Sequence, residues 1–264
     1  MLEKIVDFKN YSSIKVGGIK KLKIAQTIDE ALNLSKTHTL IGKASNTLIS
    51  PNAKNLFCLG SEFDYIKEND NFIEVGAKSS AKKVFLYFKK QNLKGVEFLG
   101  SIPGSIGGII KMNAGMKEYE IKDSIIATNI NGKWIESNDI NFSYRHSNID
   151  GIIIAVRFKK EKGFRFELET LFKDMRKNQP KNPSLGSCFK NPKEISAGKL
   201  LDISNLKGFK IGGMAFSQKH ANFLVNLDNG TFDDAIKLIN FAQNTVYNKY
   251  KIKLETEIII IEGE

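Results

Sequence analysis

Between positions 100 and 115 the chain reads GSIPGSIGGIIKMNAG, with Gly100, Gly104, Gly107 and Gly108 set among serines and apolar residues. Glycines at this density let a backbone approach a ligand closely and adopt positive φ. Successive amides, or a helix beginning near 105–108, make a seat for an anion. The spacing fits neither G-x-G-x-x-G nor a Walker loop, because no Lys-Ser or Lys-Thr follows the glycines. A second small-residue turn, GKASN, occupies 42–46. Each stretch alone is compatible with a plain turn. Two in one half of the chain suggest a long, diphosphate-bearing ligand gripped from two sides.

Three further positions carry side chains with chemistry. Arg145, in YRHS, follows a hairpin; it is either a surface cation or a bidentate clamp for a carboxylate or phosphate. Ser187 lies in GSCFKNP, which is not the G-x-S-x-G elbow because Gly186 directly precedes the serine. A lone loop serine is ordinarily structural. Glu257 precedes four isoleucines. A carboxylate entering so apolar a strand is costly to bury unpaired, so it either faces solvent or serves a site with a raised pKa. His146 takes no role.

The elements that must position these groups are short and mixed. Residues 27–36 read as a helix capped by Thr27, and 72–76 as a strand. An amphipathic helix is expected over 81–90, with Val84, Leu86, Tyr87 and Phe88 among its apolar positions. Asn131-Gly132 marks a type I′ hairpin turn, and 151–158 a buried strand. A helix over 164–177 ends before Gln179-Pro180. The strongest helix, 231–250, opens on Thr231 and Asp234 as a capping box. LETEIIIIE reads as a terminal strand. A boundary is expected at about 160–165.

Bulk composition excludes several classes. The 264 residues are 41% hydrophobic and 26% charged, enough for a core, and no apolar run reaches the roughly 18 residues of a membrane span. Charges in MLEKIVDFKN fall where an export signal needs apolar residues. Cys58 and Cys188 are far apart, in no metal-like spacing, and read as free thiols of a reducing compartment. The net charge of +11 is spread along the chain with acids interleaved, which reads as a solvated Lys-rich surface that also speeds encounters with anions. A cytoplasmic protein is expected, without membrane insertion or nucleic-acid partner, and a monomer for want of any coiled-coil seam.

Taken in order, NYSSIKVGG, IGKASNTLI, SIPGSIGGIIKMNAG, YRHS, GSCFKNP, AGKLLDISNLKG, IGGMAFSQKHANFLVN and LETEI strongly resemble the UDP-N-acetylenolpyruvoylglucosamine reductase family over about residues 10–261. Each motif is weak alone; eight in order are specific. The resemblance implies an α+β fold: an FAD-binding region of vanillyl-alcohol-oxidase type built from two α+β subdomains, plus a smaller α+β substrate domain. The expected segments are 1–60 and 61–162 for FAD, the latter joined by the strand 253–264, and 163–252 for the UDP-sugar. Gly42, Lys43, Ala44, Ser45, Asn46 and Thr47 are then expected to hold FAD. So are Ile102, Pro103, Gly104, Ser105, Gly107 and Gly108, with Asn113, Ala114 and Gly115.

The family's catalytic Arg, Ser and Glu correspond to Arg145, Ser187 and Glu257, and its substrate contacts to Tyr144, Asn191 and His220. Arg145 and Ser187 stand 42 positions apart (187 − 145), too close for the insertion that carries a substrate-covering Tyr in one branch of the family. The chain therefore resembles the compact branch, with Arg176 or Lys177 as candidates for the diphosphate. The implied reaction is NADPH-dependent reduction of a vinyl ether bearing a carboxylate, for cell-wall precursor synthesis, with NADPH and substrate using one pocket in turn. Two rivals stand beside it. One is another FAD oxidoreductase on the same fold, which often tethers flavin through His or Cys; the first flavin loop has neither. The other is a non-catalytic nucleotide- or nucleic-acid-binding protein, suggested by the charge.

Overall fold

The structure is a computed structural model that describes residues 2–263. The chain forms two compact units. The first comprises the residues up to Lys4, Leu22–Gly42 and Asn55–Arg176; the second comprises Ile5–Lys21, Lys43–Lys54 and the chain from Lys177 onward.

In the first unit an antiparallel five-stranded sheet runs in the order Lys133–Glu136, Ile125–Ile130, Ile153–Lys159, Phe72–Gly76, Ile66–Glu68. Its first hairpin turns at Asn131 and Gly132, with φ of 54° and 87°. Both values are positive, as a type I′ turn requires. Leu22–Ala25 also pair in parallel with Leu56–Leu59, whose other edge takes Thr39–Leu40. The helix Ala81–Lys90 starts where the Ser80 hydroxyl accepts the Lys83 amide. It buries Ala81, Val84, Phe85 and Phe88. Leu86, expected among the apolar positions, is exposed, because the i, i+3, i+4 stripe runs through Phe85 instead. Phe88 meets Phe158 of the sheet edge-to-face at 5.6 Å.

The helix Phe166–Arg176 belongs to this unit, so the division falls after 176 rather than at 160–165. Three contacts hold it there. Phe172 is fully buried and meets the rings of Tyr119 and Phe98 at 5.4 and 6.4 Å. Just before the helix, Arg165 grips the buried Glu97 with two bonds of 2.9 Å. Glu169 bonds Lys89 of the helix Ala81–Lys90. A sequence shows the helix's amphipathic stripe but not the core that stripe meets.

The second unit carries an antiparallel sheet in the order Ser184–Ser187, Phe223–Asn226, Met214–Phe216, Lys210–Ile211. The helices Ala197–Ile203 and Phe232–Tyr250 share its core, which includes Leu200, Phe216, Leu224, Leu238 and Val246. The capping box of Thr231 and Asp234 is present. The terminal strand is shorter than LETEIIIIE suggests: only Ile259–Ile261 pair, in parallel with Thr47–Ile49 and not with any strand of 61–162. The preceding residues are taken up elsewhere, since Thr256 bridges to Phe189 and the Glu255 carbonyl accepts the Lys190 amide. Ile14 and Val16, from the NYSSIKVGG motif, also lie in the second unit's core. Among the described residues no helix is long and apolar enough to cross a membrane.

Candidate active site

Arg145 stands at the tip of a very short hairpin. Phe142–Ser143 pair with His146–Ser147, so Tyr144 and Arg145 form the turn. Arg145 is therefore within the turn of a hairpin, not after one, and its φ is 55°. A left-handed backbone costs a residue with Cβ roughly 1–2 kcal/mol, so the surroundings must hold it. They do so at several points. The Arg145 Nη2 donates to the Gly115 carbonyl at 3.1 Å, and the guanidinium lies 4.9 Å from the Tyr144 ring centroid. The Ser147 hydroxyl donates to the Lys111 carbonyl at 2.8 Å. The Asn113 amide donates to the Ser143 carbonyl at 3.0 Å. The result is a half-buried cation on a pinned loop, a form suited to receiving a carboxylate.

The glycine segment leading to this hairpin is built for close approach. A Cβ on Gly42 would fall 2.8 Å from the Ser105 hydroxyl, so the two small-residue turns touch at Gly42 and Ser105. Gly104 has a φ of 139°, open to glycine alone. The helix is Ile106–Lys111, and Ser105 does not cap it with its side chain. The Ile106 and Gly107 amides bond the Ser79 and Ala77 carbonyls at 2.9 and 2.8 Å. The helix start thus offers fewer amides to an anion than its sequence suggests. Even so, neither 42–47 nor 102–108 contains a carboxylate, and Lys43 adds a cation. Small residues, a contact that any side chain on Gly42 would obstruct, and the absence of acids fit a diphosphate-bearing cofactor.

Asn113, grouped by resemblance with the flavin residues, is fully buried, with its side chain bonded to Glu120, Ser143 and the Lys122 amide. Ala114 and Gly115 follow it, and the Gly115 carbonyl is the one that Arg145 bonds. The Arg176 guanidinium donates to the Ser101 carbonyl, at the start of the glycine segment. Lys177 begins the next stretch of the second unit.

Ser187 and Glu257 lie on neighbouring segments of the second unit. Ser187 ends its strand opposite Phe223 and follows Gly186, whose φ is 85°. The Glu257 amide donates to the Cys188 carbonyl at 2.8 Å. Two asparagines lock this arrangement. Asn46 donates its side-chain amide to the Glu257 carbonyl at 3.0 Å, and its own carbonyl accepts the Ile259 amide. Asn222, almost fully buried, accepts the Phe189 amide at 3.0 Å and donates to the Phe189 carbonyl at 2.8 Å. The Asn222 backbone carbonyl takes the Cys188 amide as well. Nothing in the sequence reading picked out Asn222. The available signal was a lone amide inside the apolar run of 221–225, where an unpaired polar group is costly.

Burial pushes the Cys188 thiol far up, and the nearby Glu257 charge pushes it the same way. Of the substrate candidates, Tyr144 is exposed beside Arg145. The Asn191 side chain accepts the Ala197 amide at the start of its helix. His220 lies against Gly198 and the Phe223 ring, and its buried Nδ1 has no hydrogen-bond partner. Burial holds its imidazole below the ordinary histidine range, with Lys207 acting in the same direction. Arg145 lies in the first unit, and Ser187, Glu257, Asn191 and His220 in the second.

Known proteins resemble this chain along its whole length. A family model described as UDP-N-acetylenolpyruvoylglucosamine reductase, C-terminal domain, matches residues 179–261. The UDP-N-acetylenolpyruvoylglucosamine reductase of Helicobacter hepaticus is 48% identical over 259 residues, covering 98% of each chain. That of Campylobacter jejuni strain RM1221 is 40% identical, covering 97% of this chain and 100% of the relative. The crystal structure of the Thermus caldophilus enzyme of the same name superposes with a TM-score of 0.86 at 29% identity, covering 99% of this chain and 100% of the other. With the α+β architecture and near-complete coverage agreeing, the chain belongs to the UDP-N-acetylenolpyruvoylglucosamine reductase family.

Proposed function

We propose that this protein reduces the enolpyruvyl ether of UDP-N-acetylglucosamine to UDP-N-acetylmuramate, in peptidoglycan precursor synthesis in the cytoplasm, with FAD as cofactor and NADPH as electron donor. The observation that carries the reading is the Glu257 amide bonded to the Cys188 carbonyl. It sets a carboxyl group and the Ser187 hydroxyl on adjacent backbone segments in a member of a reductase family.

FAD would be held by the turns at 42–47 and 102–108 and by the backbone of 114–115. When bound and reduced, it supplies the hydride that the terminal vinyl carbon accepts. The chain's own residues handle the charge that follows. As the C=C π pair moves onto the carbon bearing the ether oxygen and the carboxylate, negative charge spreads into that carboxylate. Arg145, permanently charged and fork-shaped, stabilises this enolate through its oxygens. Glu257 in its protonated form donates a hydrogen bond to the same oxygens. Ser187 delivers its proton to the enolate carbon. A hydroxyl is a weak acid, but the acceptor is a strong base and placement supplies the rest. One hydride and one proton add across the double bond, and the product is a lactyl ether. Tyr144, Asn191 and His220 contact the UDP-sugar, and Arg176 or Lys177 its diphosphate.

The test separates the two half-reactions by anaerobic stopped-flow on protein loaded with FAD. In Ser187→Ala, flavin reduction by NADPH should stay within about twofold of wild type. Reoxidation by the enolpyruvyl UDP-sugar should slow by a factor on the order of 100 or more. Wild-type rates in both would sink the Ser187 role. Protein that takes up no FAD, or that consumes no NADPH with this substrate, would sink the function itself.

A further inference from the structure

Asn113 lies where the glycine segment meets the hairpin of Arg145, and its side chain is fully committed inside the protein. Residue 113 is wholly buried, with a left-handed φ of 42°. One amide hydrogen goes to Glu120 Oε2 at 3.0 Å and the other to the Ser143 carbonyl at 3.0 Å. Its Oδ1 accepts the Lys122 amide at 3.4 Å. A carboxamide has two donor hydrogens, so none remains for a cofactor. Ser143 is the last residue before the Tyr144–Arg145 turn. Arg145 is left-handed there, and such a backbone persists only where neighbouring contacts dictate it. Two further ties are the Gly115 carbonyl on the guanidinium and the Ser147 hydroxyl on Lys111. These three come from residues 111–115, the end of the glycine segment.

We propose that Asn113 is a positioning residue for Arg145, acting through the Ser143 carbonyl and braced from behind by Glu120, rather than a flavin contact. The inference rests on the function proposed above and deepens it by linking the cofactor segment to the carboxylate-binding cation. Only a side chain with two donors serves here, because one hydrogen must meet a carbonyl and the other a carboxylate. Asp at 113 keeps the size and the Oδ1 acceptor but loses both donors, and it sets a second anion against Glu120.

The test uses the FAD-loaded protein and two ligands that differ in the carboxylate. In Asn113→Asp, calorimetric affinity for UDP-N-acetylmuramate should fall about tenfold, while affinity for UDP-N-acetylglucosamine stays within about twofold. Reoxidation of reduced flavin by the enolpyruvyl substrate should slow at least tenfold, with FAD content and reduction by NADPH near wild type. In an Arg145→Ala background the same substitution should cost no more than about twofold, because residues acting through one group are not additive. Equal losses for both ligands, loss of FAD, or full additivity with Arg145→Ala would overturn the inference. If Asn113→Asp does not fold, Glu120→Ala is the second variant. It removes the carboxylate that accepts from Asn113, together with the weak ion pair to Lys122, and a threefold selective loss for the carboxylate ligand is expected; no selective loss overturns the inference. Wild-type protein that fails to turn over the enolpyruvyl substrate would instead refute the function, which keeps the two failures apart.

Discussion

Replacing Asn222 by Ala tests whether the Ser187 strand is held by a side-chain clamp. Asn222 and Phe189 are both buried and exchange two hydrogen bonds, at 3.0 and 2.8 Å. Truncation leaves the Phe189 amide and carbonyl in the core without these partners. An unsatisfied buried group costs about 1–3 kcal/mol, so the pair costs about 3 kcal/mol, taking a value below the sum because the site relaxes. For a chain of this size each kcal/mol lowers Tm by about 2–4 °C, which gives a fall of about 6–12 °C by calorimetry on the FAD-loaded protein. Asn222→Asp should be no milder, since its carboxylate keeps the bond from the Phe189 amide but faces the Phe189 carbonyl with an acceptor. The pairing of Ser187 with Phe223 and the bond from the Cys188 amide to the Asn222 carbonyl are backbone contacts and survive. The substrate half-reaction should therefore fall about tenfold, less than in Ser187→Ala. A Tm change under about 2 °C in Asn222→Ala would refute the clamp and the energetic reasoning together.

Three further outcomes are expected. Burial raises both thiols, Cys188 far more than the partly exposed Cys58, so a thiol reagent at pH 8 should modify at most Cys58 until denaturant is added; two fast-reacting thiols in native protein would contradict this. Phe172→Ala should destabilise the first unit by about 3–5 kcal/mol, read as loss of hydrogen-exchange protection in Ala81–Lys90 and the five-stranded sheet; a loss confined to residues after 177 would place the helix wrongly. His220 is depressed by burial and by Lys207, so the fold favours the neutral ring. Its contribution is complete above about pH 6.5 and is lost as pH falls from there through the folded value. His220→Gln should therefore flatten the decline in Tm between pH 7 and 5, leaving the part due to His38, which burial and Lys23 shift the same way. An unchanged slope would refute it.

Local chemistry was legible wherever it is encoded within a few residues. Thr27 and Thr231 cap the helices they precede. Asn131-Gly132 makes its turn. Ser80, unlike these, was recognised only in the structure, because the helix was found by its stripe and not by its cap. The candidate site was nominated from motifs, since Arg145, Ser187 and Glu257 each stand in a short run that resembles the family's. Their supports were not. Asn113 and Asn222 resemble any other asparagine in a sequence, and each has its role through a carbonyl 30 or 33 positions away.

The sequence by itself therefore determined the main helices, the caps Thr27 and Thr231, the turn at Asn131-Gly132 and the family, and it nominated Arg145, Ser187 and Glu257 as reacting side chains. These depend on side-chain type and spacing along the chain. Only the tertiary structure decided that the helix Phe166–Arg176 joins the first unit, that Ile259–Ile261 pair with Thr47–Ile49, and that the turn of Arg145 is pinned by the end of the glycine segment. Those outcomes depend on which apolar stripe meets which core and which buried carbonyl needs a donor. Such requirements are met across long chain separations, where neither periodicity nor motif carries a signal.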